Sequence, residues 1–340
     1  MSSADRPYLF DARSAAWPRT TGWERYSREI AKRISSADDH VRVRVSGSPR
    51  LGSRLWQDLV ATPLAVRGAR VAHFPTLPPA PWARAGVAVI YTLHDLTWWL
   101  WRDTASRMGR HYYAPLARAA AAGRAHIVTD TAAVADEVRE HFGIAGPGVT
   151  VVPLGVELPP PAQRPARARP YLLTVGTLEP RKNLLRLAEA YRRSGLHATH
   201  DLVIVGRLGW GDRPKGVEVV SGLDDSELVA MYLGATAVII PSLYEGFGLP
   251  AVEAMQLGVP VLCSDIPVLR EVTGGHATYV SPTDLDGLTE AVRAAPALTA
   301  PDGAASWAAR TYRWTATVNA LSELYRSLDR TGERAGKVPR

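Results

Sequence analysis

There is one cysteine among 340 residues, Cys263, so no internal disulfide can form and a reducing compartment is expected. It sits in "VPVLCSD", which reads as a buried strand and assigns the thiol to packing instead of nucleophilic chemistry. No apolar run approaches the roughly 18 uninterrupted residues of a membrane-spanning helix. The opening "MSSADRPYLFDAR" lacks the apolar core of a signal peptide, so a cytoplasmic protein is expected. Lysine is scarce, with arginine supplying 36 of the 40 basic residues. No basic run is interleaved with aromatics and no nucleic-acid module is recognisable, which argues against a nucleic-acid partner.

The composition otherwise suits an ordinary globular chain, 46% hydrophobic and 21% charged, long enough for two domains. The net charge of +7 is uneven. Residues 1–70 carry 13 basic and 7 acidic side chains, whereas residues 171–340 carry 17 and 19. The first segment therefore suits an anionic partner, either a phosphorylated substrate or an anionic lipid surface.

Short apolar runs alternate with helical patterns along the whole chain. Strands are expected at 8–12, 41–45, 70–74, 87–93, 126–129 and 149–153, with helices at 22–35, 105–122 and 131–142. "ELPPPAQRPARARP" (157–170), with five prolines and three arginines, reads as a linker. The rhythm then restarts, with strands at 171–176, 201–206, 217–221, 236–241, 259–264 and 277–281. Helices fit at 183–194, 225–234, 249–257, 266–273 and 284–294. This pattern predicts an α/β chain of two Rossmann-like domains facing a cleft, with a parallel sheet in each. The boundaries are read as 1–156, linker 157–170, 171–310, and a closing helix over 311–330 that crosses back to the first domain.

Three strand-to-helix loops carry candidate chemistry. "YEGFGLPAVE" (244–253) places Glu245 in a loop and Glu253 one turn into a helix that Pro250 opens. Gly246 and Gly248 allow close backbone approach, and the helix N-terminus favours an anion such as a diphosphate. The two carboxylates suit sugar hydroxyls. "GTLEPRKN" (176–183) sets Arg181 and Lys182 where the chain leaves a strand, with Asn183 placed to cap the next helix. Two fixed cations there suit a diphosphate leaving group. "YTLHDLTWWLWRD" (91–103) puts His94 and Asp95 directly after a strand. "TTGWERY" (20–26) begins a helix at Gly22. "DLD" (284–286) follows "SPT" and reads as a helix cap, so no metal ligand is assigned to it.

Together these stretches resemble the retaining GT-B glycosyltransferases of family four, also called group 1. "EGFGLPAVEA" matches that family's E-x7-E motif. "VGTLEPRKN", "YTLHDL", "VVPLGV", "TTGWERY" and "YRWTATVNALSELY" stand in its order. The resemblance implies a GT-B fold and transfer of a hexosyl unit, read as mannose- or rhamnose-like, from a nucleotide-diphospho-sugar with retention. The acceptor would be a glycan, lipid-linked or natural-product hydroxyl. It implies diphosphate binding by Arg181 and Lys182 and ribose binding by Glu253. The donor sugar and distal phosphate would fall to Glu245, Phe247, Gly248 and Leu249. His94 would lie near the reacting centre, Gly22 would approach the phosphates, and the base would pack near Leu223 in "SGLDD". No cofactor and no metal is implied. Where the family usually opens a helix with serine, the chain has Thr131, which can cap equally well.

The three tryptophans Trp98, Trp99 and Trp101 depart from the family pattern. They cannot all face one way, so at least one is expected exposed or lining the cleft. Asp95, Trp98 and Trp99 are assigned to the acceptor, with peripheral contact at an anionic membrane as the competing reading. Four other functions compete with glycosyl transfer, of which a glycosidase with two catalytic carboxylates fits poorly, since nothing in it requires the Arg-Lys pair. "GFGLPA" has the letters of a dinucleotide fingerprint, but "PSLYE" separates it from its strand. A sugar-nucleotide epimerase and a non-catalytic sugar-nucleotide sensor also fit the spacing.

Overall fold

The computed structural model describes residues 8–16, 22–45, 56–79, 87–102, 107, 109–122, 125–144, 148–163 and 167–335. Thr20, Thr21, Asp103, the first residues of the helix expected at 105–122, and linker residues 164–166 lie outside them. The chain divides into two compact units, residues 1–155 with 313–340, and residues 156–312.

The first unit is a six-stranded parallel sheet of order β2-β1-β3-β4-β5-β6. Its strands are β1 (Tyr8–Asp11), β2 (Val41–Arg44), β3 (Val71–Phe74), β4 (Ala88–Thr92), β5 (His126–Thr129) and β6 (Val149–Val151). All four residues of β1 and of β3 are buried, as expected of strands covered on both faces. Helices α1 (Gly22–Ala37), α2 (Thr62–Val66), α3 (Thr97–Leu100), α4 (Ala114–Ala122) and α5 (Ala132–Phe142) connect them. A π-helical turn, Gln57–Ala61, runs directly into α2, a segment the periodicity did not predict. The helix expected from 105 is interrupted in the same way: a π turn at Gly109–Tyr113 precedes α4. Thr131 caps α5, accepting from the Val134 amide at 3.3 Å.

The second unit repeats the plan with β7 (Tyr171–Val175), β8 (Asp201–Val205), β9 (Glu218–Val220), β10 (Ala237–Ile240), β11 (Val261–Ser264) and β12 (Thr278–Val280). All pairs are parallel, in the order β12-β11-β10-β7-β8-β9. The helices are α6 (Leu184–Ser194), α7 (Asp225–Gly234), α8 (Leu249–Gln256), α9 (Pro267–Thr273), α10 (Leu285–Ala294) and α11 (Ala304–Thr311). Leu172, Leu187, Leu202, Ile239, Leu262 and Val292 form its core. Asp284 caps α10, accepting from the Asp286 and Gly287 amides, so "DLD" is a helix start. Cys263 is buried on β11, where burial pushes its thiol up to about 12.

The chain returns to the first unit as α12 (Trp314–Ala335), a helix separate from α11. Its Tyr325 is fully buried and its hydroxyl meets His73 Nδ1 at 2.6 Å, while His73 Nε2 meets the Thr92 hydroxyl at 2.7 Å. Burial lowers the His73 pKa to about 3, so the ring is neutral and serves as donor on one side and acceptor on the other. Tyr8 donates to Asp329 at 2.9 Å and Arg326 donates to Asp38 at 2.9 Å. Trp314 packs so tightly over Gly155 that a Cβ there would lie 2.3 Å from the Trp314 nitrogen. One residue further, the Val156 amide donates to the Tyr312 carbonyl at 2.9 Å.

Candidate active site

In a sheet of this order, ligands collect beyond the strand ends where the order reverses. In the second unit that point lies between β7 and β10. The loops leaving these two strands are the ones that carry Arg181, Lys182 and Glu245. They are stitched together. The Leu243 amide donates to the Arg181 carbonyl at 2.8 Å. Asn183 donates from its side-chain amide to the carbonyls of Pro241 (3.0 Å) and Pro282 (2.8 Å). The expectation that Asn183 caps α6 therefore needs correcting. It stands at the cap position, but with φ 57° its side chain turns away from the helix to tie three loops together.

The cations are paired. Lys182 Nζ donates to both oxygens of Glu245, at 2.6 and 2.9 Å. Arg181 reaches Glu179 at 2.7 Å, Glu245 at 3.4 Å and the Tyr244 carbonyl at 3.1 Å. Ser242 donates to Glu245 at 2.7 Å. Burial would raise the Glu245 pKa, but Lys182 and Arg181 outweigh it and hold the carboxyl below its ordinary range. Burial pulls the Lys182 ammonium below its ordinary value, against Glu245. In this state Glu245 is the counter-ion of the cationic pair, a contact the sequence reading did not assign to it.

Beyond Glu245 the loop enters α8. Gly248, at φ 87°, supplies the left-handed turn that lets Leu249 start the helix, and no side chain caps it. Phe247 is buried edge-on against Tyr312 at 5.3 Å, and Leu249 is half-buried. Glu253 is buried in α8 and accepts from the Tyr232 hydroxyl at 2.8 Å. Leu223 is half-buried after β9, beside Gly222 at φ 82° and the capping-box residue Asp224. Arg181, Lys182 and Glu245 are thus in one bonded cluster. Glu253 is bonded to Tyr232, and Leu223 stands in the loop after β9.

In the first unit, His94 follows β4 and is buried. Its Nδ1 lies 2.6 Å from Asp130 Oδ2 and its Nε2 lies 2.8 Å from the Pro75 carbonyl. Nε2 must donate to the Pro75 carbonyl, and the Nδ1–Asp130 contact holds one further proton, since burial also raises the Asp130 carboxyl above its ordinary value. Burial would lower the ring's pKa, but Asp130 and the Pro75 carbonyl outweigh it and the net direction is up. Both ring nitrogens of His94 are thus engaged by protein groups, which suits positioning and polarising. The ring stacks on Trp23 at 6.0 Å and meets Tyr26 edge-on at 4.7 Å. A small open pocket beside it is lined by Trp23, Thr76, Thr92, Asp95 and Trp98. Asp95 accepts from the Thr97 amide at 2.9 Å, starting α3. Trp98 therefore lines the pocket, whereas Trp99 packs on Phe142 at 5.1 Å. Trp101 is half-buried, and Gly22 opens α1 on the exposed side.

Comparison with known families decides the kinship. Residues 20–158 match the model of Glycosyltransferase Family 4, and residues 160–299 match that of Glycosyl transferases group 1. The chain belongs to the family 4, group 1 glycosyltransferases. Among its relatives is the O-antigen chain mannosyltransferase B of Escherichia coli, 36% identical over 132 residues, covering 35% of each chain. The MMP alpha-(1->4)-mannosyltransferase of Mycolicibacterium hassiacum is 34% identical over 181 residues, covering 48% of this chain and 43% of that one. The matches thus span less than half the length of these relatives. Sucrose-phosphate synthase from Thermosynechococcus elongatus shares the fold, with TM-score 0.69 at 19% identity over 95% of this chain and 99% of that one. So does Anabaena HepE, in complex with UDP and glucose, with TM-score 0.68 at 16% identity over 95% and 100%. The architecture is GT-B.

Four residues of this glycosyltransferase escaped the sequence reading. Asp130 stands 36 positions from its partner His94 and follows β5 as His94 follows β4. The expectation that strand ends carry function applied to "HIVTD" as much as to "YTLHD". Glu179 is a buried acid beside a half-buried arginine in "LEPRK". Ser242 and Tyr232 carried no signal, because a hydroxyl facing a carboxylate is set by packing alone.

Proposed function

We propose that this glycosyltransferase moves a mannose-like hexosyl unit from a nucleotide-diphospho-sugar to a hydroxyl of a glycan, lipid-linked or small-molecule acceptor. Configuration is retained and no metal takes part. The observation that carries this is the Arg181–Lys182 pair, stitched in place at the switch point of the second sheet and satisfied by the carboxylate of Glu245. A diphosphate would take over Lys182 and Arg181 as charge builds on it. Glu245, released, would accept from the donor-sugar hydroxyls. Glu253, oriented by Tyr232, would hold the ribose, with the base near Leu223. Phe247, Gly248 and Leu249 would line the sugar and distal phosphate. In the first unit, His94 and Gly22 are assigned to the sugar and phosphates, and Asp95 and Trp98 to the acceptor.

The acceptor oxygen would attack the anomeric carbon on the face that the diphosphate leaves. The carbon–oxygen bond to the phosphate breaks, and the acceptor proton passes to the departing phosphate oxygen. No protein base is needed, which suits a histidine with both nitrogens engaged. The mannose assignment leans on the relatives, whose names are those of mannosyltransferases. A UDP-sugar is the competing donor, since HepE is in complex with UDP and glucose.

The test is a thermal-shift panel of GDP-mannose, dTDP-rhamnose and UDP-glucose, followed by transfer to extract acceptors with and without EDTA. GDP-mannose should give the largest shift. Product NMR should show the anomeric configuration of the donor, and EDTA should leave the rate unchanged. An inverted linkage, a strict need for divalent ions, or an epimerised sugar with no transfer would each overturn part of this reading.

A further inference from the structure

The helical segment 56–66 is inside out. Its polar residues Gln57, Asp58 and Thr62 are buried. Its large apolar residues Trp56, Leu59, Val60 and Leu64 are exposed, at 59, 51, 42 and 59%. The inward polarity has a cause. Arg13, buried after β1, needs carboxylates on two sides, and Asp58 gives it one at 2.5 Å opposite Asp11. Tyr112 also donates to Asp58, at 3.1 Å, and Arg44 donates to Thr62 at 2.9 Å. With the polar face committed inward, the positions i, i+3, i+4 and i+8 form one apolar stripe facing outward. Nine large hydrophobic side chains are exposed among the described residues, and four of them lie on this one segment, so it is a patch and not scatter.

The surroundings choose the occupant. Arg67 follows the helix and is exposed, and Arg42 lies against it, donating to the Ala65 carbonyl at 3.3 Å. The segment's own acid, Asp58, is turned inward, so no exposed carboxylate interrupts the stripe. An apolar stripe headed by tryptophan and edged by arginines matches the acyl–headgroup boundary of an anionic bilayer. A second copy of the chain fits less well. Like-charged rims would oppose each other, and four side chains fall short of the roughly 20–30 residues per side of a stable protein interface. We propose that residues 56–66 dock this glycosyltransferase on an anionic membrane surface, lying in the interface plane. The segment is not Trp98–Trp101, where sequence reasoning placed the competing membrane contact. No helix among the described residues is long and apolar enough to cross a membrane, so docking would be peripheral.

The experiment is flotation of the full chain with vesicles of phosphatidylcholine, with or without phosphatidylglycerol. The wild type should float with the anionic vesicles and not with the neutral ones. Leu59→Ser combined with Leu64→Ser should weaken that binding about tenfold or more, with an unchanged melting temperature because both side chains face outward. Arg67→Glu, tested separately, should weaken anionic binding and reduce its dependence on salt. Wild-type protein that floats with neither vesicle overturns the proposal. So does a double-serine variant that binds as the wild type does. A wild-type dimer that the double-serine variant converts to monomer, without vesicle binding, assigns the face to self-association and equally overturns it. None of these outcomes touches the donor site.

Discussion

At His94 the placement of one proton decides what the residue can do. The ring is held between Asp130 and the Pro75 carbonyl, and although burial would lower its pKa, these two partners raise it. Such a group contributes stability that is fully present below the ordinary histidine value of 6.5 and is lost as pH rises through the raised folded value. The wild-type melting temperature should therefore fall as pH rises from 6.5 through the raised value. Asp130→Asn should remove much of that slope while lowering the melting temperature at neutral pH, which melts over a pH series would check. A slope identical in both proteins would mean that His94 is not the group titrating. Arg181 sits at the opposite chemical pole, a cation expected to meet charge that develops only as the bond breaks. Arg181→Ala should cost about 3 kcal/mol in the transition state, somewhat over a hundredfold in turnover, with a smaller change in donor affinity. Steady-state kinetics with the donor found in the thermal-shift panel would check the split.

Among elements, the β7–α6 connection shows how loops become a site. Asn183 is the one non-glycine residue at positive φ among the described residues, and its amide binds two carbonyls from other loops. Asn183→Gly keeps the backbone comfortable and loses the stitches, so it should cost about 2 kcal/mol. Asn183→Ala adds backbone strain and should cost more. Denaturant melts of both variants would separate the two terms, and equal costs would mean that the strain is absent. Inner strands such as β8 and β10 were legible because strands covered on both faces are written as unbroken Val, Ile and Leu runs. "TVGTLEPRKN" and "YEGFGLP" were legible because glycine and proline mark loops that follow strands. Asn183's true role was hidden, because a capping residue and a cross-loop stitch are the same letter. The Lys182–Glu245 pair was hidden for a related reason: 63 residues separate partners that only the switch point brings together. The 56–66 segment failed the usual test outright. Helical periodicity is read on the assumption that apolar residues turn inward, and there a buried arginine reverses it.

For the whole molecule, the governing fact is that the first unit is built from both ends of the chain. On α12, Trp314, Val318, Leu321 and Tyr325 are buried, each contributing about 2 kcal/mol, so their loss approaches the entire stability of a typical domain. A chain ending at Tyr312 should lose the cooperative unfolding of the first unit and keep that of the second. Calorimetry would show one transition where the full chain has two or a merged one, and an unaltered profile would mean that α12 is dispensable. Synthesis runs from the N-terminus. While a ribosome is still making residues 156–312, the first sheet therefore waits with Tyr8, His73 and the underside of α1 uncovered. The second unit, continuous in sequence, can close first. The part of this enzyme made earliest is then completed last, and for that interval its open flank is exposed to chaperones and to other nascent chains.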